Sequence, residues 1–385
     1  MQSFKSTKRA LKHKTTAEIK QGVLLFKSFN YPILIKYGPA VVDWCLKIGF
    51  PIKGLIKKTL FPWFCGGENI SECHGTIENL AKNNVGTILD YSVEGDDNAS
   101  AFDNTKDEII ATIHAAAKTE HIPFSVFKST GIVHNDILLK VSNDETLNEV
   151  EQKTFVDFKK RFEEICKAGF DHKVRVFVDA EESWLQAAID SLTYEMMAKY
   201  NIEDVYIFNT IQLYRHDRLA HLSNQIKNQS YKQGYKLVRG AYLEKENLRA
   251  EEMNYPTPMQ QTKENTDRDY DAAVALCVAH LDQVAFCAGT HNELSSSLLV
   301  DIMKEKALPN DHPHIWFAQL LGMSDHISFN LADMGYNVAK YVPYGPVKSV
   351  LPYLARRAQE NSSIAGQMGR ELVMLREELK RRKSN

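Results

Sequence analysis

The chain has 385 residues, 44% of them apolar and 25% charged, with a formal net charge of −2. This is the composition of a folded globular protein with room for one large domain or two, and the charge argues against a nucleic-acid binder. No run approaches the roughly 18 apolar residues of a membrane-spanning helix, and the N-terminus lacks the continuous apolar core of a secretory signal.

Residues 1–80 read as a basic helical arm. From Met1 to Leu60 there are twelve Lys or Arg against only Glu18 and Asp43. Glu18 and the missing Arg-rich stripe argue against a transit peptide. Between Val23 and Phe64, apolar and aromatic residues interleave with single lysines. Such an arm suits another surface, either the protein's own barrel with lysines outward or an anionic membrane reached through residues 1–64. From about residue 85 the rhythm changes. Eight short β-branched or aromatic runs follow, at 85–91, 122–128, 173–179, 204–212, 235–240, 282–290, 314–319 and 337–343. Helical patterns separate them, at 107–118, 147–168, 182–200, 215–233, 266–281 and 294–306. Eight strand–helix units over about 280 residues predict an α/β fold, a (β/α)8 TIM barrel with an N-terminal helical region. Residues 368–383 read as a charged helix outside the barrel. The six cysteines are scattered with no C-x-x-C pair, as expected of free thiols. The histidines show no H-x-x-x-H pair and no clustering with cysteine, so no metal site is expected.

Barrel enzymes carry their chemistry at the C-terminal ends of strands. Here the second run ends in Lys128, the third in Asp179, and the fourth runs out through Gln212. The fifth carries Lys236 and Arg239, then Gly240, Ala241 and Tyr242. The sixth ends in Thr290, His291 and Asn292, the seventh leads through Leu320 to Gly322, and the eighth reaches Tyr341. Each residue also has a plain structural reading: Asp179 as a helix cap or as the ion-pair partner of Lys236, Gln212 as a buried amide, Lys128 as a solvated strand end. Jointly they place several cations and one carboxylate at one end of the barrel, which suits an anion or a cofactor carrying phosphate. There is no strand–G-x-G-x-x-G–helix fingerprint and no P-loop.

After Tyr341 the chain is broken by Pro343, Gly345 and Pro346 and then turns helical, with Ser349 as the expected N-cap and Pro352 in the first turn. Val347, Val350, Leu351, Leu354 and Ala358 form the core stripe. Tyr353, Arg356, Arg357 and Glu360 share another face. Adjacent arginines beside a tyrosine can clamp a small carboxylate, and the same spacing also fits a solvated face.

The segments FSVFKST (124–130), VFVDAEES (176–183), KLVRGAYLEKE (236–246), GTHNE (289–293), QLLGMSD (319–325) and YVPYG…YLARRAQEN resemble those of the proline dehydrogenase family, in order from about residue 85 to 361. The resemblance implies a distorted (β/α)8 barrel whose last helix covers the mouth. It implies an arm at 1–80, a catalytic barrel at 81–361 and a C-terminal helix at 362–385. It further implies FAD as cofactor and oxidation of L-proline to Δ1-pyrroline-5-carboxylate by hydride transfer to the flavin. Electrons would go on to a membrane quinone, and a separate pyrroline-5-carboxylate dehydrogenase would take the product. In this reading Arg356 and Arg357 hold the substrate carboxylate, Lys128 faces it, and Glu360 orients an arginine. Tyr341, Tyr353 and Leu320 enclose the ring. Asp179, Gln212, Lys236, Arg239, Gly240, Ala241, Tyr242, Thr290, His291 and Asn292 belong to the flavin site. Many bacterial members have Arg and Lys where this chain has Lys236 and Arg239. The order here is that of the animal-type branch, which leaves open which cation lies nearer the flavin N5. A tyrosine at 341 goes with proline over 4-hydroxyproline in that family. The resemblance also implies a monofunctional protein, cytoplasmic and peripheral on the inner face of a membrane, or mitochondrial in a eukaryote. The alternatives are a 4-hydroxyproline dehydrogenase, a lyase or aldolase with Lys128 as Schiff-base lysine, and a membrane-associated sensor without turnover.

Overall fold

The computed structural model describes residues 4–29, 31–48, 50–92, 98–363 and 365–384. Eight strands, β1 (Gly86–Tyr91), β2 (Phe124–Lys128), β3 (Arg175–Asp179), β4 (Ile207–Gln212), β5 (Gln233–Val238), β6 (Val284–Gly289), β7 (Ile315–Leu320) and β8 (Val338–Tyr344), close a barrel in chain order. The described pairings are parallel. Most strand residues are buried on both faces, which is why the runs are nearly continuous apolar stretches instead of alternating ones. Each predicted strand is present, with edges shifted by up to about three residues. The chain divides into two compact units, one of Asp96–Ala318 with Met1–Gln2, the other of Ser3–Gly95 with Gln319–Asn385.

In the first unit, side-chain alternation explains where chemistry can sit. Phe124 pairs with Arg175, Val126 with Phe177 and Lys128 with Asp179, so each pair shares a face of the sheet. Phe124, Phe177, Phe208 and Trp316 fill the inside of the barrel. Phe124 stacks on Phe177 at 4.3 Å, and Phe208 and Trp316 meet it edge-on at 5.6 and 5.2 Å. Farther along the same face come polar groups, Lys128 four positions beyond Phe124, Asp179 two beyond Phe177 and Thr210 two beyond Phe208, because an apolar floor leaves only the C-terminal rim for them. The helix Glu149–Asp171 begins with a capping box between Asn148 and Glu151.

In the second unit, helices from both ends of the chain share one apolar core. Ile19, Phe26, Ile56, Phe61, Trp63 and Phe64 pack with Val347, Val350, Tyr353, Leu354, Leu372 and Leu375. Thr15 and Glu18 form a capping box at the start of the helix Thr16–Ser28. Gly22 lets that helix approach Trp63, since a Cβ there would stand 2.2 Å from the indole. The same unit holds a buried charge cluster that the sequence did not announce. Lys340 on β8 donates to Asp325 Oδ1 at 2.7 Å, to Met323 O at 2.6 Å and to Leu320 O at 3.3 Å. His13 lies 3.5 Å from the other Asp325 oxygen and stacks on Phe329. Burial alone would raise the Asp325 carboxyl, but Lys340 and His13 more than reverse this and hold it below the usual carboxylate range. Glu371 accepts from Ser324 N at 2.9 Å. Burial, reinforced by Asp325, pushes its carboxyl up to about 7.

The junction after β8 differs from the sequence expectation. The strand runs on through Pro343 to Tyr344, and the helix begins at Val347, so Ser349 and Pro352 lie inside it. Pro343 keeps a carbonyl, and it accepts from Gly66 N at 2.8 Å. The helix start is capped from elsewhere in the chain. Glu68 Oε1 accepts from Val347 N at 3.2 Å, while Ser349 N and Val350 N already bond to Pro346 O. An acidic group at a helix N-terminus is favoured by the exposed N–H groups there. Burial disfavours the Glu68 charge, yet Lys53 and Lys57 hold its carboxyl down to about 2.

Candidate functional site

In the first unit the strand ends bring most of the expected residues into two connected clusters. One is centred on Asp179, which accepts from Lys236 across the barrel rim. The ammonium of Lys236 sits 5.5 Å over the Phe177 ring. Lys128 stands in register beside Asp179. Of the two plain readings of Asp179, the ion pair holds. The following helix starts at Ser183 with Glu182 as N-cap, too far along for Asp179 to cap it.

Glu181, which sequence reasoning passed over, ties this cluster together. Its carboxylate accepts from Thr130 Oγ1 at 2.8 Å and from the Tyr242 hydroxyl at 3.3 Å. Its carbonyl accepts from Gln212 Nε2 at 3.1 Å, so Gln212 is a buried amide with a backbone partner. Burial pushes the Glu181 carboxyl up to about 7, with Lys128 and Thr130 pulling the other way. A carboxyl poised near neutrality at a barrel rim is the kind of group that functional sites collect.

The second cluster is built on Arg239. Its Nε donates to Asp267 at 2.6 Å and its two terminal nitrogens to Thr290 Oγ1 at 2.7 Å and Ser295 Oγ at 2.9 Å. The guanidinium plane lies 4.4 Å from the Tyr270 ring centre. A fork held on three sides and one face is pre-organised. Thr290 also accepts from Asn292 N, and Asn292 caps the helix Glu293–Glu305 through Leu294 N at 2.8 Å. His291 is half-buried between them. Gly240 takes φ +130, where a Cβ would stand 2.5 Å from the Tyr214 ring. That fixes the turn that presents the exposed Ala241 and carries Tyr242 to Glu181.

The second unit holds the remaining expected residues. Leu320 ends β7, and Leu321 N donates to Tyr341 O at 2.8 Å, which holds the two strand ends together. Leu320 packs on the same apolar core as Tyr353. On the helix Val347–Ser363, Tyr353 and Arg357 are one turn apart and both buried, with the guanidinium 5.1 Å from the ring centre. A fully solvated arginine face is therefore excluded for Arg357. Arg356 beside it is half-buried. Glu360 falls in this helix, but its side chain lies outside the described residues. Among the described residues no group of three or more His, Cys, Asp or Glu side chains is placed to hold a metal ion.

Residues 73–370 match the family model for proline dehydrogenase. The chain is 33% identical to the carbapenem antibiotics biosynthesis protein CarD of Pectobacterium carotovorum subsp. carotovorum, over 83% of each chain. It is 32% identical to proline dehydrogenase 1, mitochondrial, of Dictyostelium discoideum, over 96% of this chain and 73% of that one. It is 28% identical to the hydroxyproline dehydrogenase of Xenopus laevis, over 97% and 89%. Among solved structures, proline utilization A from Bdellovibrio bacteriovorus superposes with a TM-score of 0.69 at 19% identity, over 81% of this chain. The chain spans only about a third of that protein, 34% of its length, so this likeness speaks for the fold alone. With the family model covering most of its length, the chain belongs to the proline dehydrogenase family of oxidoreductases.

Proposed function

We propose that the chain oxidises L-proline to Δ1-pyrroline-5-carboxylate with bound FAD, passes the electrons to a membrane quinone, and so opens proline degradation. The observation that carries this reading is the buried Tyr353–Arg357 pair with Arg356 beside it. A guanidinium fixed against an aromatic ring presents its planar donor fork in a set direction. A small amino-acid carboxylate has the matching charge and fork geometry.

The donor set of the first unit fits a flavin dinucleotide. Lys128, Lys236 and Arg239 supply positive charge, and Ser129 Oγ, next to Lys128, is buried with no hydrogen-bond partner among the described residues. Gln212, Lys236, Arg239, Gly240, Ala241, Tyr242, Thr290, His291 and Asn292 would hold the cofactor, with Asp179 orienting Lys236. Bound FAD supplies a two-electron acceptor. The protein's own part is placement: Arg356 and Arg357 fix the carboxylate, Lys128 adds charge toward it, and Glu360 orients an arginine. Tyr341, Tyr353 and Leu320 pack the ring and keep water out. The substrate amine must lose its proton before its lone pair can assist oxidation, so the rate should rise with pH until that loss is complete.

In this reading residues 81–361 are the catalytic barrel, 1–80 an arm and 362–385 a C-terminal helix. A separate dehydrogenase consumes the product. Relatives named mitochondrial proline dehydrogenase support a mitochondrial site of action; in the same proposal the protein is peripheral on an inner membrane face, with the basic arm as the means of attachment. The likeness to a hydroxyproline dehydrogenase supports a second reading, oxidation of 4-hydroxyproline. The bulk of Tyr341, buried on β8, weighs against a ring hydroxyl. Steady-state oxidation of both amino acids with a soluble quinone analogue tests this. A preference for L-proline supports the first reading, a preference for 4-hydroxyproline supports the second, and turnover of neither contradicts both.

A further inference from the structure

The N-terminal helix Pro32–Lys47 is apolar on two sides. Its inner side packs through Val42 onto the core of its unit, against the helix Val347–Ser363, and Cys45 is buried. Its outer side carries Ile33, Tyr37, Val41 and Trp44, and Ile48 just past its end continues the row, at spacings of four, four, three and four residues and therefore in one stripe. All five are exposed, Ile33 to 72% and Trp44 to 61%. Leu24, Tyr31, Phe50 and Leu55, from the flanking segments, are exposed as well. Single exposed apolar residues are ordinary, but a run of nine within 32 residues (24 to 55) is not.

The charges around the stripe indicate its occupant. Residues 20–58 contain seven lysines and one acid, Asp43. Lys20, Lys27, Lys47 and Lys58 are exposed, while Lys53 and Lys57 are paired with Glu68 and Glu72. Farther back, Arg9 and Lys12 are engaged with Asp333, and Ala10, Leu11, Ile19 and Phe26 are buried in the core, so much of the first part of the arm is committed to the protein itself. A helix of 16 residues is about 24 Å long, short of the roughly 30 Å hydrocarbon layer. No helix among the described residues is long and apolar enough to cross a membrane. Aromatic and aliphatic groups on one face, lysines at the rim and too little length to span are the pattern of a helix that lies in the plane of an anionic bilayer.

We propose that the outer face of Pro32–Lys47, with Trp44 at its centre, is the surface by which this protein inserts into an anionic lipid membrane. The proposal rests on the membrane reading given above and narrows it from the whole arm to one helix face. The test uses full-length protein loaded with FAD and phosphatidylcholine vesicles with and without phosphatidylglycerol. Expected are co-sedimentation with the anionic vesicles that weakens with salt, and a blue shift of tryptophan emission that disappears in Trp44→Phe. Val41→Glu and Trp44→Glu should lower vesicle affinity at least about tenfold, a change of about 1.4 kcal/mol, while proline oxidation with a soluble acceptor is unchanged. If the protein binds vesicles but neither glutamate variant weakens it and Trp44 emission does not move, the membrane reading stands and this face is wrong. If the unaltered protein ignores anionic vesicles, both fall. If instead light scattering shows a dimer that Trp44→Glu dissolves, the face belongs to a second copy of the chain and the proposal is overturned.

Discussion

Replacing Lys340 by Met probes the buried charge cluster that anchors the end of β7 to β8. The ion pair at 2.7 Å is worth about 6 kcal/mol of attraction at an effective dielectric of about 20. Stripping both ions of water offsets most of that, so the intact pair adds little net stability. Removing one partner is different. Asp325 would stay buried with, among the described residues, only His13 within ion-pair distance, and the carbonyls of Leu320 and Met323 would lose the Lys340 ammonium as a donor. The expected cost is about 3–5 kcal/mol. With about 2.1 cal/mol/K of unfolding entropy per residue over 385 residues, this lowers Tm by about 4–6 °C if the chain unfolds as one unit. The pH dependence gives the sign. The Asp325 carboxyl is depressed in the folded state, so its contribution is present above its unfolded pKa of about 3.9 and is lost as pH falls below it. The gap between the unaltered protein and Lys340→Met should therefore be widest at neutral pH and close on acidification. Urea denaturation across pH 3–8 measures it, and adding Asp325→Asn to Lys340→Met should recover part of the loss. A gap under about 1 kcal/mol at pH 7, or one that does not change with pH, would refute the reasoning.

Three further outcomes are expected. Glu181 and Glu371 are carboxyls raised by burial to about 7, so each favours the folded state below its unfolded pKa and loses that contribution as pH rises toward 8. Glu181→Gln should flatten part of this decline and stabilise the protein by up to about 3 kcal/mol at pH 8; an unchanged pH profile of the denaturation midpoint would contradict it. Arg356→Met should cost roughly 2–5 kcal/mol in kcat/KM for proline, and steady-state kinetics showing less than about a tenfold loss would remove the carboxylate clamp from the account. Gly322→Ala forces a Cβ to 2.1 Å from Trp63 O at φ +76, which should destabilise by roughly 2–4 kcal/mol in chemical denaturation; wild-type stability would show that this turn can relax.

The barrel was legible because its signal is repeated eight times. Each run is short, β-branched or aromatic, and followed by a helix. The positions of Lys128, Asp179, Lys236 and Arg239 at strand ends followed directly from that reading. What escaped was whatever depends on partners distant in sequence. Glu181 lies two residues past Asp179 in an ordinary acidic loop, and only Thr130 and Tyr242 reveal it as a hub. Lys340 looks like an interruption in an apolar strand, and its partner Asp325 looks like a helix-starting acid. The helix start at Val347 was misplaced because its cap comes from Glu68, far outside any local window. The outer stripe of Pro32–Lys47 could not be separated from its inner one, since a helix that is apolar all round shows no polar face to mark the boundary.

The central claim is that this barrel carries FAD and uses it on L-proline. A visible absorption spectrum of the purified protein, before and after adding L-proline without oxygen, tests it most directly. The account predicts a flavin spectrum that bleaches with proline, and more slowly with 4-hydroxyproline. A flavin that proline leaves unbleached would keep the cofactor and discard the substrate. A colourless protein unable to take up added FAD would contradict the account and return attention to Lys128 as a nucleophile.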